Sequence, residues 1–134
     1  MNAELQYIEV SNEKDIVASR QAARALAAEL GFGAIDQSRI ATAVSELTRN
    51  VVRYATNGRG RVTIRRVGER PGIEIIVADD GPGIENIESA MQDGYTSGSG
   101  MGLGLPGTKR LMDEMLIESE PGSGTTVTIR KWRR

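Results

Sequence analysis

The chain has 134 residues, 39% hydrophobic and 4% aromatic, with a formal net charge of −1. That is the length of one ordinary domain over residues 1–134, with a core made of Ile, Val, Leu, Ala and Met, and its near-neutral charge argues against a dedicated nucleic-acid binder. Cysteine and histidine are both absent, which excludes disulfides, thiolate or imidazole metal sites, Ser-His-Asp triads and phosphohistidine chemistry.

Residues Leu5 to Val10 suit a first strand. Asn12, with Asp15 three residues on, has the spacing of a capping box. It opens a helix that follows the Ala-rich run to Leu30, where Gly31 stops it. Asp36 is expected to cap a second helix. There Ile40, Ala43, Val44, Leu47, Val51 and Tyr54 recur at three- and four-residue steps and fill an arc of about 100°. Glu46, Asn50 and Arg53 cluster on the neighbouring arc, and Asn57 and Gly58 end the helix.

"RVTIRRV" and "IEIIVAD" are β-branched runs around the turn cluster "GERPG", which predicts an antiparallel hairpin. A short polar helix is expected over 87–93, and a longer one from Pro106 to Leu116, with proline at home in its first turn. "LIESE" and "TTVTIRKW" then form two closing strands around "PGSG". The order β-α-α-β-β-(lid)-α-β-β, with the short polar helix in the lid, predicts an α+β sandwich, one layer of sheet and one of helices. No apolar run approaches the roughly 20 residues of a membrane span, and no signal peptide is recognisable. A soluble, cytoplasmic protein without membrane or nucleic-acid partners is therefore expected.

Charge is uneven along the chain. Arg49, Arg53, Arg59, Arg61, Arg65 and Arg66 fall in one stretch without an acid. That stretch is either a solvated strand face plus a loop or a docking surface for an acidic partner.

The stretch "GSGMGLGLPG" carries five glycines in ten residues. A P-loop needs GxxxxGK[ST], but "GLGLPGTK" has Thr108 before Lys109, so neither side chain would reach its target. Gly102, Gly104 and Gly107 satisfy GxGxxG, but "DGYTSGSG" before them is no strand. A solvated linker would not carry Met101, Leu103 and Leu105 between its glycines. What fits is a pattern spread along the chain. Glu46 and Asn50 stand at i, i+4 on one helix. Asp79, Gly81 and Gly83 form DxGxG at a strand end. Gly100, Gly102 and Gly104 form GxGxG before a helix, and Gly122, Gly124 and Thr125 form GxGT at the last strand.

These four pieces in this order resemble the GHKL ATPases, the family of histidine kinases, gyrase-type topoisomerases, Hsp90 and MutL. The resemblance implies their Bergerat fold: a two-layer α/β sandwich whose mixed, mainly antiparallel sheet carries helices on one face. "ELGFGAIDQSRIATAVSELTRN", "GLPGTKRLMDE" and the basic "KW" ending are similar to the stand-alone serine kinases of bacterial stress and sporulation switches, in particular the RsbT-like switch kinases of the stressosome.

The resemblance implies ATP and Mg²⁺ as cofactors. Asn50 would hold the magnesium, a hard ion served by one amide oxygen, phosphate oxygens and water. Glu46, one turn earlier, would be the catalytic base for an attacking hydroxyl. Asp79 would read the adenine amino group, with Thr125 supporting it and Gly81 and Gly83 letting the chain turn close to the base. Gly100, Met101, Gly102, Leu103 and Gly104 would form the phosphate loop, offering backbone N–H groups. The implied activity is a protein serine/threonine kinase acting on STAS-domain partners of the RsbS and RsbR kind. On release it would activate an RsbU-like phosphatase or another output protein. The alternatives are an anti-sigma factor kinase of the RsbW or SpoIIAB kind and a nucleotide-gated binding module. Without histidine the chain is no histidine kinase, and the short stretch from Gly83 to Gly98 implies a small lid. Oligomeric state stays open.

Overall fold

A computed structural model describes residues 5–55, 59–84, 86–92 and 104–134. Its elements run β1 (Leu5–Val10), α1 (Glu13–Glu29), α2 (Ala34–Tyr54), β2 (Gly60–Val67), β3 (Gly72–Asp79), α3 (Ile87–Ala90), α4 (Leu105–Leu111), β4 (Glu114–Ser119) and β5 (Thr125–Trp132). The expected order of strands and helices is the observed one. The sheet runs β1-β2-β3-β5-β4, and all of its pairings among the described residues are antiparallel.

Alternation along the strands explains the layers. Val62 and Ile64 of β2, Ile73, Ile75 and Val77 of β3, and Val127 and Ile129 of β5 all point to one face and are buried. Onto that face α2 lays Ile40, Ala43, Val44, Leu47 and Val51, the arc expected from its periodicity. α1 adds Ile16, Ala23, Leu26 and Ala27, and its small residues let it pack closely on α2. Among the described residues the opposite face carries no helix. There Leu5, Tyr7 and Leu116 are exposed. In the same layer buried Glu74 sits between Arg65 and Arg130, with N–O distances of 2.7 Å to each.

The capping box forms as expected. Asp15 N–H reaches Asn12 Oδ1 at 3.2 Å, and Asn12 N–H returns to Asp15 Oδ2 at 3.2 Å. Gly31 follows α1 with φ 88°.

Three helix boundaries differ from expectation. α3 ends at Ala90, with Met91 as its cap, short of the expected 93. α2 begins at Ala34 with Gly33 as its cap, so Asp36 lies inside the first turn. Phe32 is buried and fixes where the chain enters, and Gln37 N–H donates to Gly33 O at 2.9 Å while its side chain donates to Phe32 O at 2.8 Å. Asp36 instead faces two cations, Arg39 at 3.0 Å and the buried Lys131 at 3.8 Å. The helix expected to reach Leu116 stops at Leu111, where Met112 turns extended. Lys131 Nζ donates to Leu111 O at 3.0 Å, and Asp113 N–H donates to Arg130 O at 2.9 Å. The next residues alternate outward and inward, and β4 takes them. Asn57 and Gly58, and Asp93 at the end of the expected polar helix, lie outside the described residues.

Much of the arginine cluster is paired. Arg49 lies 3.8 Å from Glu46, Arg61 3.7 Å from Asp80 and Arg65 2.7 Å from Glu74. Among the described residues no helix is long and apolar enough to cross a membrane.

Candidate active site

The candidate residues come from three places: the exposed rim of α2, the shared end of β2, β3 and β5, and the start of α4. Glu46 stands midway along α2 with its side chain 44% exposed, and Arg49 keeps it company at 3.8 Å. Asn50 follows one turn later on the same side of the helix, about 6 Å along the axis, and is half-buried.

Gly104 brings the glycine loop to this carboxylate. It has φ 66° and ψ 14°, the left-handed region, and serves as the cap of α4. A Cβ there would stand 3.3 Å from Glu46 Oε2. Only a residue without a side chain both takes that φ freely and leaves the Glu46 carboxylate where it is. Thr108 fastens the turn, its N–H and its Oγ1 donating to Gly104 O at 3.1 and 3.0 Å. Leu105 is buried and anchors the loop's end in the core, as its apolar character requires. Gly100, Met101, Gly102 and Leu103 lie outside the described residues.

Asp79 is the last residue of β3 and faces the helix layer. Its carboxylate accepts Gly81 N–H at 2.8 Å and the backbone N–H of Thr125. Burial pushes its pKa up, as does Asp80, while the two N–H donors and Arg61 pull against that. A carboxylate has about four acceptor positions. With two taken by backbone donors, the others remain for a ligand, and such a partly desolvated acceptor gains by meeting a donor.

Two features hold Asp79 at this place. Gly124, with φ 88°, lies so close to the Asp79 backbone that a Cβ would collide with its carbonyl. Gly60 is the cross-strand partner of Asp79. A Cβ on Gly60 would fall 2.7 Å from Val51 and 2.5 Å from Ala78 O. So α2 presses on the strand ends at Val51, the residue after Asn50, and this joins the Asn50 side of the site to the Asp79 side.

Thr125 pairs with Asp79 on one side and with Ser119 on the other. Ser119 Oγ accepts Ile84 N–H at 2.8 Å and lies 3.0 Å from both Gly124 O and Thr125 Oγ1. The loop after Asp79 is tied down a second time where Gly122 N–H donates to Pro82 O at 2.7 Å. Gly83 therefore rests on the β4–β5 turn, beside Glu120 and Ser119, and Gly81 is fixed by its bond to Asp79. Sequence reasoning missed Ser119 and Gly60. Only the strand register reveals them; a glycine at the first position of a β-branched run was the one available signal for Gly60.

Among the described residues no group of three or more His, Cys, Asp or Glu side chains stands where it could hold a metal. The donors at hand are the Asn50 amide oxygen and the Glu46 carboxylate. That set fits a magnesium ion brought in by phosphate oxygens better than a resident ion.

Comparison with known proteins agrees with this geometry. The family described as histidine kinase-, DNA gyrase B- and HSP90-like ATPase matches residues 35–134. The serine/threonine-protein kinase RsbT of Bacillus subtilis is 49% identical over 129 residues, covering 95% of this chain and 96% of its own. An anti-sigma F factor of Caldanaerobacter subterraneus is 35% identical over 133 residues, covering 96% and 92%. Among solved structures, the RsbU and RsbW domains of a Mycobacterium tuberculosis protein superpose with a TM-score of 0.68 at 23% identity, over 96% of this chain and 32% of that one. The chain belongs to the histidine kinase-, DNA gyrase B- and HSP90-like ATPase family.

Proposed function

We propose that this chain is an ATP-dependent protein serine/threonine kinase that phosphorylates a STAS-domain partner. The observation that carries the reading is the seating of Gly104 against Glu46 Oε2. It brings the end of a phosphate-type glycine loop to a carboxylate whose helix also bears Asn50. The 49% identity to a serine/threonine-protein kinase over nearly the whole chain supports it.

Bound ATP and Mg²⁺ would supply the transferable phosphoryl group and neutralise its charge. The chain's own residues do the rest. Asp79 accepts the adenine amino group with the acceptor positions its backbone donors leave open. Gly81 and Gly83 shape the turn beside the base, and Thr125 lines it. Gly100 to Gly104 offer backbone N–H groups to the phosphates, with Met101 and Leu103 as part of that loop. Asn50 would hold the metal through its amide oxygen. Glu46 takes the proton of the acceptor hydroxyl as the new P–O bond forms and the bond to the leaving ADP oxygen breaks. Phosphoryl transfer asks little more of a protein than this positioning and one proton acceptor.

STAS proteins of the RsbS and RsbR kind are the expected substrates. When released from them the chain would bind and activate an RsbU-like phosphatase or another output protein in the cytoplasm. The anti-sigma F factors among its relatives favour one second reading, a kinase that also sequesters a sigma factor. Radiolabelled ATP offered with purified STAS candidates tests the choice. Label on a STAS serine or threonine supports the first reading; a complex with a sigma subunit and no such label supports the second.

A further inference from the structure

The hydroxyl of Ser119 has one proton to give and two lone pairs, and the structure surrounds it with three partners. Ile84 N–H is purely a donor, so Ser119 Oγ accepts from it at 2.8 Å. Gly124 O is purely an acceptor, so the Ser119 proton goes there at 3.0 Å. The remaining contact, Thr125 Oγ1 at 3.0 Å, is then satisfied in one sense only: Thr125 donates and Ser119 accepts. The reverse assignment would spend the only Ser119 proton on Thr125 and leave two oxygens, those of Ser119 and Gly124, facing each other with lone pairs.

The direction of this chain has a consequence for Thr125. With its proton committed to Ser119, its oxygen turns only lone pairs outward. Thr125 pairs with Asp79 in the sheet, on the same face, and its own backbone N–H donates to the Asp79 carboxylate. The strand end thus presents acceptors from both residues.

We infer that Ser119 is a specificity-determining positioning residue. It fixes the Thr125 hydroxyl as an acceptor, so that the wall formed with Asp79 admits a 6-amino purine and rejects a 6-oxo purine. The inference rests on Asp79 as the base contact. Adenine offers the wall the two protons of its 6-amino group. Hypoxanthine and guanine offer an oxygen at that position, which would meet lone pairs from Asp79 and Thr125; their one proton on this edge sits at N1, one atom away from the place where the wall faces the 6-amino group. A Thr125 hydroxyl free to rotate could donate to that oxygen and soften the rejection. A site's unmatched polar groups, rather than its apolar contacts, give the strong discrimination between such close analogues.

The test is titration calorimetry of ADP and inosine diphosphate, which differ at the 6-position and in the proton on the neighbouring N1, against the wild-type chain, Ser119→Ala, Ser119→Thr and Thr125→Val; the change in preference between variants is the readout, since the N1 difference is common to all of them. Ser119→Ala should lower the ADP preference by about three- to tenfold, the size of one net hydrogen bond. Ser119→Thr, which keeps the hydroxyl, should restore it. Adding Ser119→Ala to Thr125→Val should change the preference no further, since Ser119 acts through Thr125. A purely structural Ser119 would weaken both nucleotides alike and leave the preference intact, and that result overturns the inference. A wild-type chain that binds ADP no better than inosine diphosphate overturns the reading of Asp79 itself, and Ser119 with it.

Discussion

Replacing Gly104 by alanine separates two things that this residue does. Its φ of 66° costs an L-residue about 1–2 kcal/mol. The new Cβ would also stand 3.3 Å from Glu46 Oε2, a few tenths of an ångström too close. The Glu46 side chain is 44% exposed, so it can swing away, and the contact adds little to the loss of stability. A chain of this size loses roughly 3–6 °C of Tm per kcal/mol, so thermal denaturation of Gly104→Ala should show a fall of about 3–12 °C. Activity should fall by more. A catalytic group moved by about 1 Å loses on the order of a hundredfold in rate. Single-turnover phosphotransfer should thus fall about ten- to a hundredfold, with ADP affinity much less affected. Gly104→Asn sharpens the test, because asparagine tolerates the left-handed region better. It should recover much of the lost Tm but none of the lost rate, since its Cβ meets Glu46 in the same way. If Gly104→Asn transfers phosphate at the wild-type rate, Glu46 is not seated against this loop during the reaction.

Asp79→Ala should weaken ADP by about ten- to a hundredfold, the value of a hydrogen bond to a charged group, as read by calorimetry. Because burial raises the Asp79 pKa above its ordinary 3.8, the unbound fold holds this proton more tightly than the unfolded chain does. Its contribution to stability is therefore complete at pH below 3.8 and is lost as pH rises through the raised value. ADP requires the ionised form, so its affinity should fall in acid with a midpoint above 3.8; a midpoint at or below that value would contradict the burial of this carboxylate. Glu74 behaves oppositely. Burial alone would raise its pKa, but hydrogen bonds and charge from Arg65 and Arg130 outweigh it and hold the value below 4.5. Its stabilisation is present above pH 4.5 and lost as pH falls through the lowered value, a slope that Glu74→Gln should remove from a plot of unfolding free energy against pH. At neutral pH Glu74→Gln should cost about 1–3 kcal/mol in urea unfolding; both arginines are about half exposed, so water takes over part of their pairing.

Much of this site is readable in the sequence because its signals are local. The capping box at Asn12 and Asp15, the β2–β3 hairpin and the i, i+4 spacing of Glu46 and Asn50 each lie within a few residues. The glycine motifs are local too, and the left-handed φ at Gly83, Gly104, Gly122 and Gly124 explains why those positions hold glycine. What escaped depends on partners far along the chain. Asp36 looks like a cap, but the buried Lys131, from the last strand, and the burial of Phe32 set the start of α2 earlier. Leu116 looks like the end of a helix, but the pairing of β4 with β5 takes it into the sheet. Ser119 is an ordinary polar residue until strand register places it beside Thr125, and Gly60 is unremarked until α2 comes down on it. In each case a contact between distant segments overrides a local preference.

Single-turnover phosphotransfer from radiolabelled ATP to a STAS-domain partner, with wild type and Glu46→Gln side by side and ADP affinity measured on both, tests the kinase reading. Glu46→Gln keeps the shape of the side chain and removes its ability to take a proton. Transfer should fall by about 10²–10⁴-fold, while ADP binds both proteins equally well and the wild-type label sits on a serine or threonine. Undiminished labelling by Glu46→Gln, or a wild-type protein that binds ATP and never transfers its phosphate, would contradict it.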